Sequence, residues 1–366
     1  MIWYLLNLLI LTIVWLLPTD NTMVISDTGK SFRIRSKRLC FTAAVCWILL
    51  SGLRSLDVGP DTYNYFVNSF EPVKQMSWSE ITGLFRRRYL LGESVKDPGY
   101  CLLEKIFQIF CQEYRAWLFF VAISFTVPLA LFIYRYSSNP YLSFVLYAAL
   151  FSNFFSVTGH RQTLSTAILL GIGLYAVMHK RFLMFVFSVL IACTIHPSSI
   201  AFLPVYFLAR IKLRKNQLLI CFAAVVLSFV LRKQILSVLV WITGYDSFYQ
   251  VPEARPGIFM FLLLAFTLFI SLFYNRTVES TDNSCGIIHL SYNALVCACF
   301  FSSLLLINPV FMRVVQYYSL FLLVLLPEGA RAFGNGKGKI FYNLFCTALL
   351  VGLLVSDGRF YEFFWQ

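Results

Sequence analysis

Charge is what this sequence has least of. Only 13% of its 366 residues are charged, where a soluble domain carries about 25%, and an ordinary soluble fold is excluded. Acidic side chains are scarcer than basic ones, 17 against 30, and there are four histidines. No CxxC pair or His/Cys cluster has zinc spacing, and no carboxylate cluster suits a metal, so the sequence gives no grounds for a metal or other cofactor. Residues 1–17 lack a basic start and a small-residue cleavage site, so they read as a retained helix and not a signal peptide. The basic excess fits membrane topology and contact with anionic membrane lipids, and nucleic acid is not among the implied partners.

What the chain does have is apolar surface: 59% hydrophobic residues and 38 Phe. Apolar runs of about 18 residues read as transmembrane helices, and the chain holds roughly ten of them. This predicts an all-α polytopic membrane bundle of about 10–12 spans, some broken, forming a single domain over 1–366. The linker 18–38 carries Lys30, Arg33, Arg35, Lys37 and Arg38, which marks it as cytoplasmic. Arg54 then emerges on the outer face, at the start of an extracytoplasmic segment, 54–115. Within it, Trp78, Ile81, Leu84 and Phe85 follow helical spacing ahead of Arg86-Arg87-Arg88, as in an interfacial helix. Asp97-Pro98-Gly99-Tyr100 reads as a turn before a second short helix.

Residues 182–208 have basic clusters at both ends. One span would strand the second cluster outside, so a hairpin turning at His196-Pro197-Ser198-Ser199 is predicted. Residues 244–257 form an outer loop in this scheme, and 258–274 a span.

On this topology Arg54, His160, Arg161, His196 and Arg313 come to the outer face. A charge within a span costs roughly 2.5 kcal/mol or more, so it faces a cavity or a partner, or snorkels to the headgroups. Several guanidiniums around a cavity suit phosphate oxygens, which they fork bidentately. His196, at a helix break, is either a proton acceptor or a packed histidine bonded to backbone freed by Pro197. Asp57 and Asp61 are bases, partners of an arginine, or caps of the helix starting near Thr62. Tyr63, Tyr65 and Tyr100, with His160, either stack on sugars or sit as interface aromatics. The Arg86–Arg88 run is a headgroup-binding face or a guide for a lipid-linked anion.

The stretch Gly52-Leu53-Arg54-Ser55-Leu56-Asp57-Val58-Gly59-Pro60-Asp61-Thr62-Tyr63-Asn64-Tyr65 resembles the R-x-VG-x-D-x-x-x-Y signature of the EpsG family, Wzy-like polysaccharide polymerases of bacterial envelopes. Asp97-Pro98-Gly99-Tyr100 is similar to the acidic-Pro-Gly-aromatic turn of that family, and His160-Arg161-Gln162 to its R-Q. Thr194-Ile195-His196-Pro197-Ser198-Ser199 resembles its F-H-x-S-A break. Met312-Arg313 with Tyr317-Tyr318 resembles its late R-x-x-x-Y-[FY]. Departures are Leu56-Asp57 inserted before Val-Gly, Ile195 for Phe and Ser199 for Ala.

The resemblance implies a GT-C-like, metal-independent glycosyltransferase of the bacterial cytoplasmic membrane. Such an enzyme joins polyprenyl-diphosphate-linked oligosaccharide repeat units at the outer face, with a chain-length regulator protein as partner. His196, Asp57 and Asp61 are then the catalytic candidates, and Arg54, Arg161 and Arg313 the diphosphate ligands. An O-antigen-ligase-like transferase and a lipid-linked oligosaccharide flippase remain as alternatives.

Overall fold

The structure is a computed structural model, and the residues it describes are 1–18, 28–95, 97–212, 215–243, 285–333 and 336–366. The expected outer loop 244–257 and span 258–274 lie outside them, as does part of the basic linker. Among the described residues the regular structure is helical, with one isolated β-bridge and no strand. Lipid cannot hydrogen-bond the backbone, so each segment must satisfy its own amides, which a helix does.

Four described helices are long and apolar enough to cross a membrane, or up to six if each of two bent pairs is one span. The expected 10–12 spans counted apolar runs whose helices are shorter. Ile2–Leu16, Pro140–Phe151, Phe182–Ile195 and Pro197–Leu208 are apolar but fall below full crossing length.

The chain forms two compact units. The first comprises Met1–Tyr175, Val186–Ile200 and Asn343–Gln366. Its helices begin with α1 (Ile2–Leu16) and α2 (Thr28–Gly52), followed by the short α3 (Thr62–Tyr65) and α4 (Glu71–Gln75). Next come α5 (Trp78–Tyr89), α6 (Pro98–Phe110) and α7 (Tyr114–Tyr136), then α8 (Pro140–Leu146) and α9 (His160–Ile168). Helix α2 packs along α7, where a Cβ on Gly52 would run into the Phe119 ring; small residues permit such close approach between membrane helices. Four π-helical stretches interrupt this unit: Phe66–Phe70, Tyr147–Phe151, Asn153–Thr158 and Leu169–Gly173. Such bulges gather at functional sites.

Helix α5 matches the predicted interfacial helix. Ser77 and Glu80 close a capping box at its start, Ile81 is fully buried, and Arg86, Arg87 and Arg88 fill its last turn. Helix α6 is inverted relative to a helix in water. Glu104 and Gln108, one turn apart, face inward, while Ile109 is 64% and Phe110 83% exposed. A helix with that polarity belongs against lipid.

The C-terminal residues close on the end of α2. Arg54 forms an antiparallel bridge with Phe363, with Ser55 N donating to Glu362 O at 2.9 Å and Phe364 N to Leu53 O at 3.0 Å. Trp3 and Tyr4 of α1 meet Phe363 and Tyr361 edge-on. Both chain ends therefore share a face with Arg54.

The second unit comprises Ala176–Phe185 and Ala201–Tyr342. In it, the start of α11 (Phe182–Ile195, after α10, Leu174–Met178) meets the arm that returns through α12 (Val205–Leu208). The Tyr206 hydroxyl donates to Lys180 O at 3.1 Å, and its ring meets Phe182 edge-on. Residues 182–208 thus double back, as the paired basic clusters predict. Asn293, on a later helix (Cys285–Leu305), donates to the carbonyls of Leu208 and Ile211 and satisfies the end of the returning arm.

Candidate functional site

The first unit gathers an aromatic and cationic cluster where α2 ends, α6 begins and α9 begins. Helix α2 stops at Gly52, and the chain turns through Gly59, whose φ of 88° is left-handed. A Cβ there would lie 2.5 Å from Val157 Cγ1, so glycine lets this turn press on the π-helical stretch before α9. Thr62 locks the contact, its hydroxyl donating to Val58 O at 2.7 Å and reaching Val157 O at 3.3 Å.

Arg54 is 2% exposed. Its guanidinium donates to the carbonyl and hydroxyl of Ser51, to Ser156 O at 3.2 Å, to Thr62 Oγ1 at 3.4 Å and to His160 Nε2 at 2.6 Å. A guanidinium only donates, so Nε2 is the acceptor. His160 is therefore the neutral tautomer, with its proton on Nδ1, on the side of the Val157 carbonyl. Tyr65 stacks on the His160 ring at 4.4 Å. Arg54 thus acts on this cluster through His160.

Arg161 is the guanidinium with capacity left. One Nη donates to Asp97 Oδ2 at 2.6 Å, and its charge lies 5.1 Å from the Tyr65 ring centre and 5.3 Å from that of Tyr100. Its Nε is buried and has no acceptor among the described residues. Asp97 holds a left-handed backbone, φ 47°, at the N-cap of α6. That conformation is rare outside glycine and costs of order 1 kcal/mol or more. It turns the carboxylate to Arg161, while Pro98 starts the helix.

Gly99 lies so close to Thr194 that a Cβ would overlap the Thr194 hydroxyl and come within 2.7 Å of its backbone carbon. This contact sets the Asp97 turn against the helix break, where α11 ends at Ile195 and half-buried His196 precedes a 3₁₀ turn, Pro197–Phe202.

The remaining predicted site residues are placed as follows. Tyr100 is fully buried, with Trp117 Nε1 donating to its hydroxyl at 3.3 Å. Tyr63 is exposed, as are Asp57 and Asp61. Asp61 occupies the N-cap of α3 without a side-chain cap bond. Arg313 belongs to the second unit, exposed in the first turn of the helix Met312–Ser319. The first unit therefore brings together Arg54, His160, Arg161, Tyr65 and Tyr100, with the His196 break packed on Gly99.

Sequence reasoning passed over three contributors: Asp97 as an ion-pair partner, the C-terminal tail, and Glu104. Beneath Tyr100, Glu104 is fully buried and accepts from Ser69 Oγ at 2.7 Å. Burial pushes its carboxyl up to about 8, against the opposing pull of the Ser69 and Tyr100 hydroxyls and the Arg161 charge. The Glu104/Gln108 spacing on a largely apolar helix was the signal available. In the tail, Arg359 is buried and donates to the carbonyls of Ala148 and Ala149 and to Ser152 Oγ.

The fold and this cluster define an all-α integral membrane protein with a buried Arg–His–Tyr centre and an aromatic-flanked arginine. The chain matches the EpsG family over residues 37–362, and it belongs to that family. Membership supports a polysaccharide-polymerase-like, glycosyltransferase-like function in general terms. No curated protein and no solved structure matches the chain.

Proposed function

We propose that this protein is a polymerase of the bacterial cytoplasmic membrane. It joins oligosaccharide repeat units carried on polyprenyl diphosphate at the outer face, in the metal-independent manner the resemblance implies. One observation carries the reading. Arg161 lies against two neighbouring tyrosine rings, fixed by Asp97 on one side, with a buried Nε left for a further acceptor. An oriented guanidinium with an unused donor suits a phosphate oxygen.

In the reaction, the acceptor hydroxyl oxygen bonds to the anomeric carbon as the bond from that carbon to the diphosphate breaks. The diphosphate leaves with the electron pair, and Arg161 meets its charge as preorganised positive potential. His196 takes the hydroxyl proton as general base, the role that fits a histidine near neutral pH. Arg54 and Tyr65 fix His160 in one tautomer and orientation, and Tyr63 offers an open aromatic face to a sugar.

The test is deletion of the gene followed by a gel of surface polysaccharide. A single-repeat band in place of the ladder is expected. Complete loss of surface glycan points to a flippase or ligase instead, and an unchanged ladder sinks the reading.

A further inference from the structure

We propose that Arg88, at the C-terminal end of α5, is a ligand for the diphosphate of the lipid-linked donor; the inference rests on the function proposed above. The argument starts from which cations in this part of the chain are already engaged. Arg54 is enclosed, and Arg161 is tied to Asp97. Lys74 pairs with Glu71, and Lys105 donates to the carbonyls of Val73 and Lys74. Arg115 lies 3.2 Å over the Phe364 ring, and Arg87 pairs with Glu93 at 2.5 Å. Arg88 is half-buried and has no carboxylate partner among the described residues. A partly desolvated guanidinium with no counter-charge is costly unless an anion completes it.

Its surroundings say which anion. The next residues, Tyr89, Leu90 and Leu91, are all exposed, Leu90 at 78%. A guanidinium above an apolar ridge matches a ligand with an anionic head and a hydrocarbon chain. Burial raises the Tyr89 hydroxyl, Arg88 pulls against it and Asp97 adds to it, so this tip lies within electrostatic reach of the carboxylate that holds Arg161. That proximity favours the reacting lipid over bulk headgroups.

The same turn supplies a control. Arg86 is exposed and lies two residues away, about 200° round the helix, so it serves bulk charge but not this position.

The experiment uses purified full-length protein in nanodiscs of neutral phosphatidylcholine, titrated with polyprenyl diphosphate. Arg88→Gln is expected to weaken binding at least tenfold, Arg88→Lys less, and Arg86→Gln under twofold. Thermal unfolding of each variant in the same discs checks the fold, and Arg88→Lys carries the test if the glutamine variant unfolds early. Wild-type affinity in both Arg88 variants overturns the inference and leaves the proposed function standing. An equal loss in Arg86→Gln also overturns it, because it means non-specific charge. Failure of the wild type to bind polyprenyl diphosphate overturns both.

Discussion

Glu104 gives the protein a pH signature that can be worked through. Its carboxyl is fully buried on α6 and titrates near 8, where its ordinary value is 4.5. Below 4.5 the group is protonated in both the folded and unfolded chain and contributes no pH dependence. Between 4.5 and 8 the unfolded chain releases the proton while the folded chain keeps it. The folded state then holds more protons, and stability falls as pH rises, reaching its full loss above 8. At 1.36 kcal/mol per pH unit the whole interval is worth ~5 kcal/mol. Glu104→Gln keeps the shape and an acceptor for Ser69 but has nothing to ionise. Its stability relative to wild type should therefore increase from pH 5 to pH 8.5. For a chain of this length that is a growing gap of ~5 °C or more in apparent Tm. Thermal unfolding in detergent micelles across that range measures it. Parallel curves for the two proteins at all pH values would refute the reasoning.

Four further outcomes are expected. Gly99→Ala should cost about 1–3 kcal/mol of stability through overpacking; adding Thr194→Ala should restore only part of it, because the Thr194 backbone still stands in the way, and full rescue in a melting experiment would contradict this. Arg54→Met leaves His160 Nε2 and the Ser51 and Ser156 carbonyls without their donor, a loss of roughly 3 kcal/mol that an unchanged Tm would disprove. His196→Ala should lower turnover on purified lipid-linked repeats by about 10²–10⁴ while donor binding persists; normal turnover, or a dead Asp61→Asn beside it, moves the base elsewhere. With Arg210→Cys on a cysteine-free background, a membrane-impermeant thiol reagent should label only from the cytoplasmic side, and labelling from outside rules out the topology.

Much of the architecture was legible from charge placement. Basic clusters around 182–208 predicted the doubling back that Tyr206 and Lys180 display, and helical spacing ahead of Arg86 predicted α5. What stayed hidden depended on distant partners. Arg54 at the end of an apolar run reads as an outer-face arginine open to a diphosphate, because its acceptors are backbone carbonyls and a histidine 106 residues away. Asp97 reads as a turn residue, since nothing local announces a left-handed backbone aimed at Arg161. The π-helical stretches have no sequence period of their own. Nothing local in the sequence ties the tail residues Tyr361 and Phe363 to residues 50–54, and only the fold brings them together.

That clasp has a consequence for how the protein is made. The Tyr361 hydroxyl meets Leu50 O across 311 positions of sequence, so the ribosome must release all of that intervening chain before the segment that clasps the end of α2 arrives. Closing a loop of that length costs roughly 5 kcal/mol of chain entropy if the intervening chain is free, and far less once the helices between are already seated. Seating of the intervening helices therefore precedes the clasp. A nascent chain holds the end of α2 without its clasp until residues 361–364 have been made.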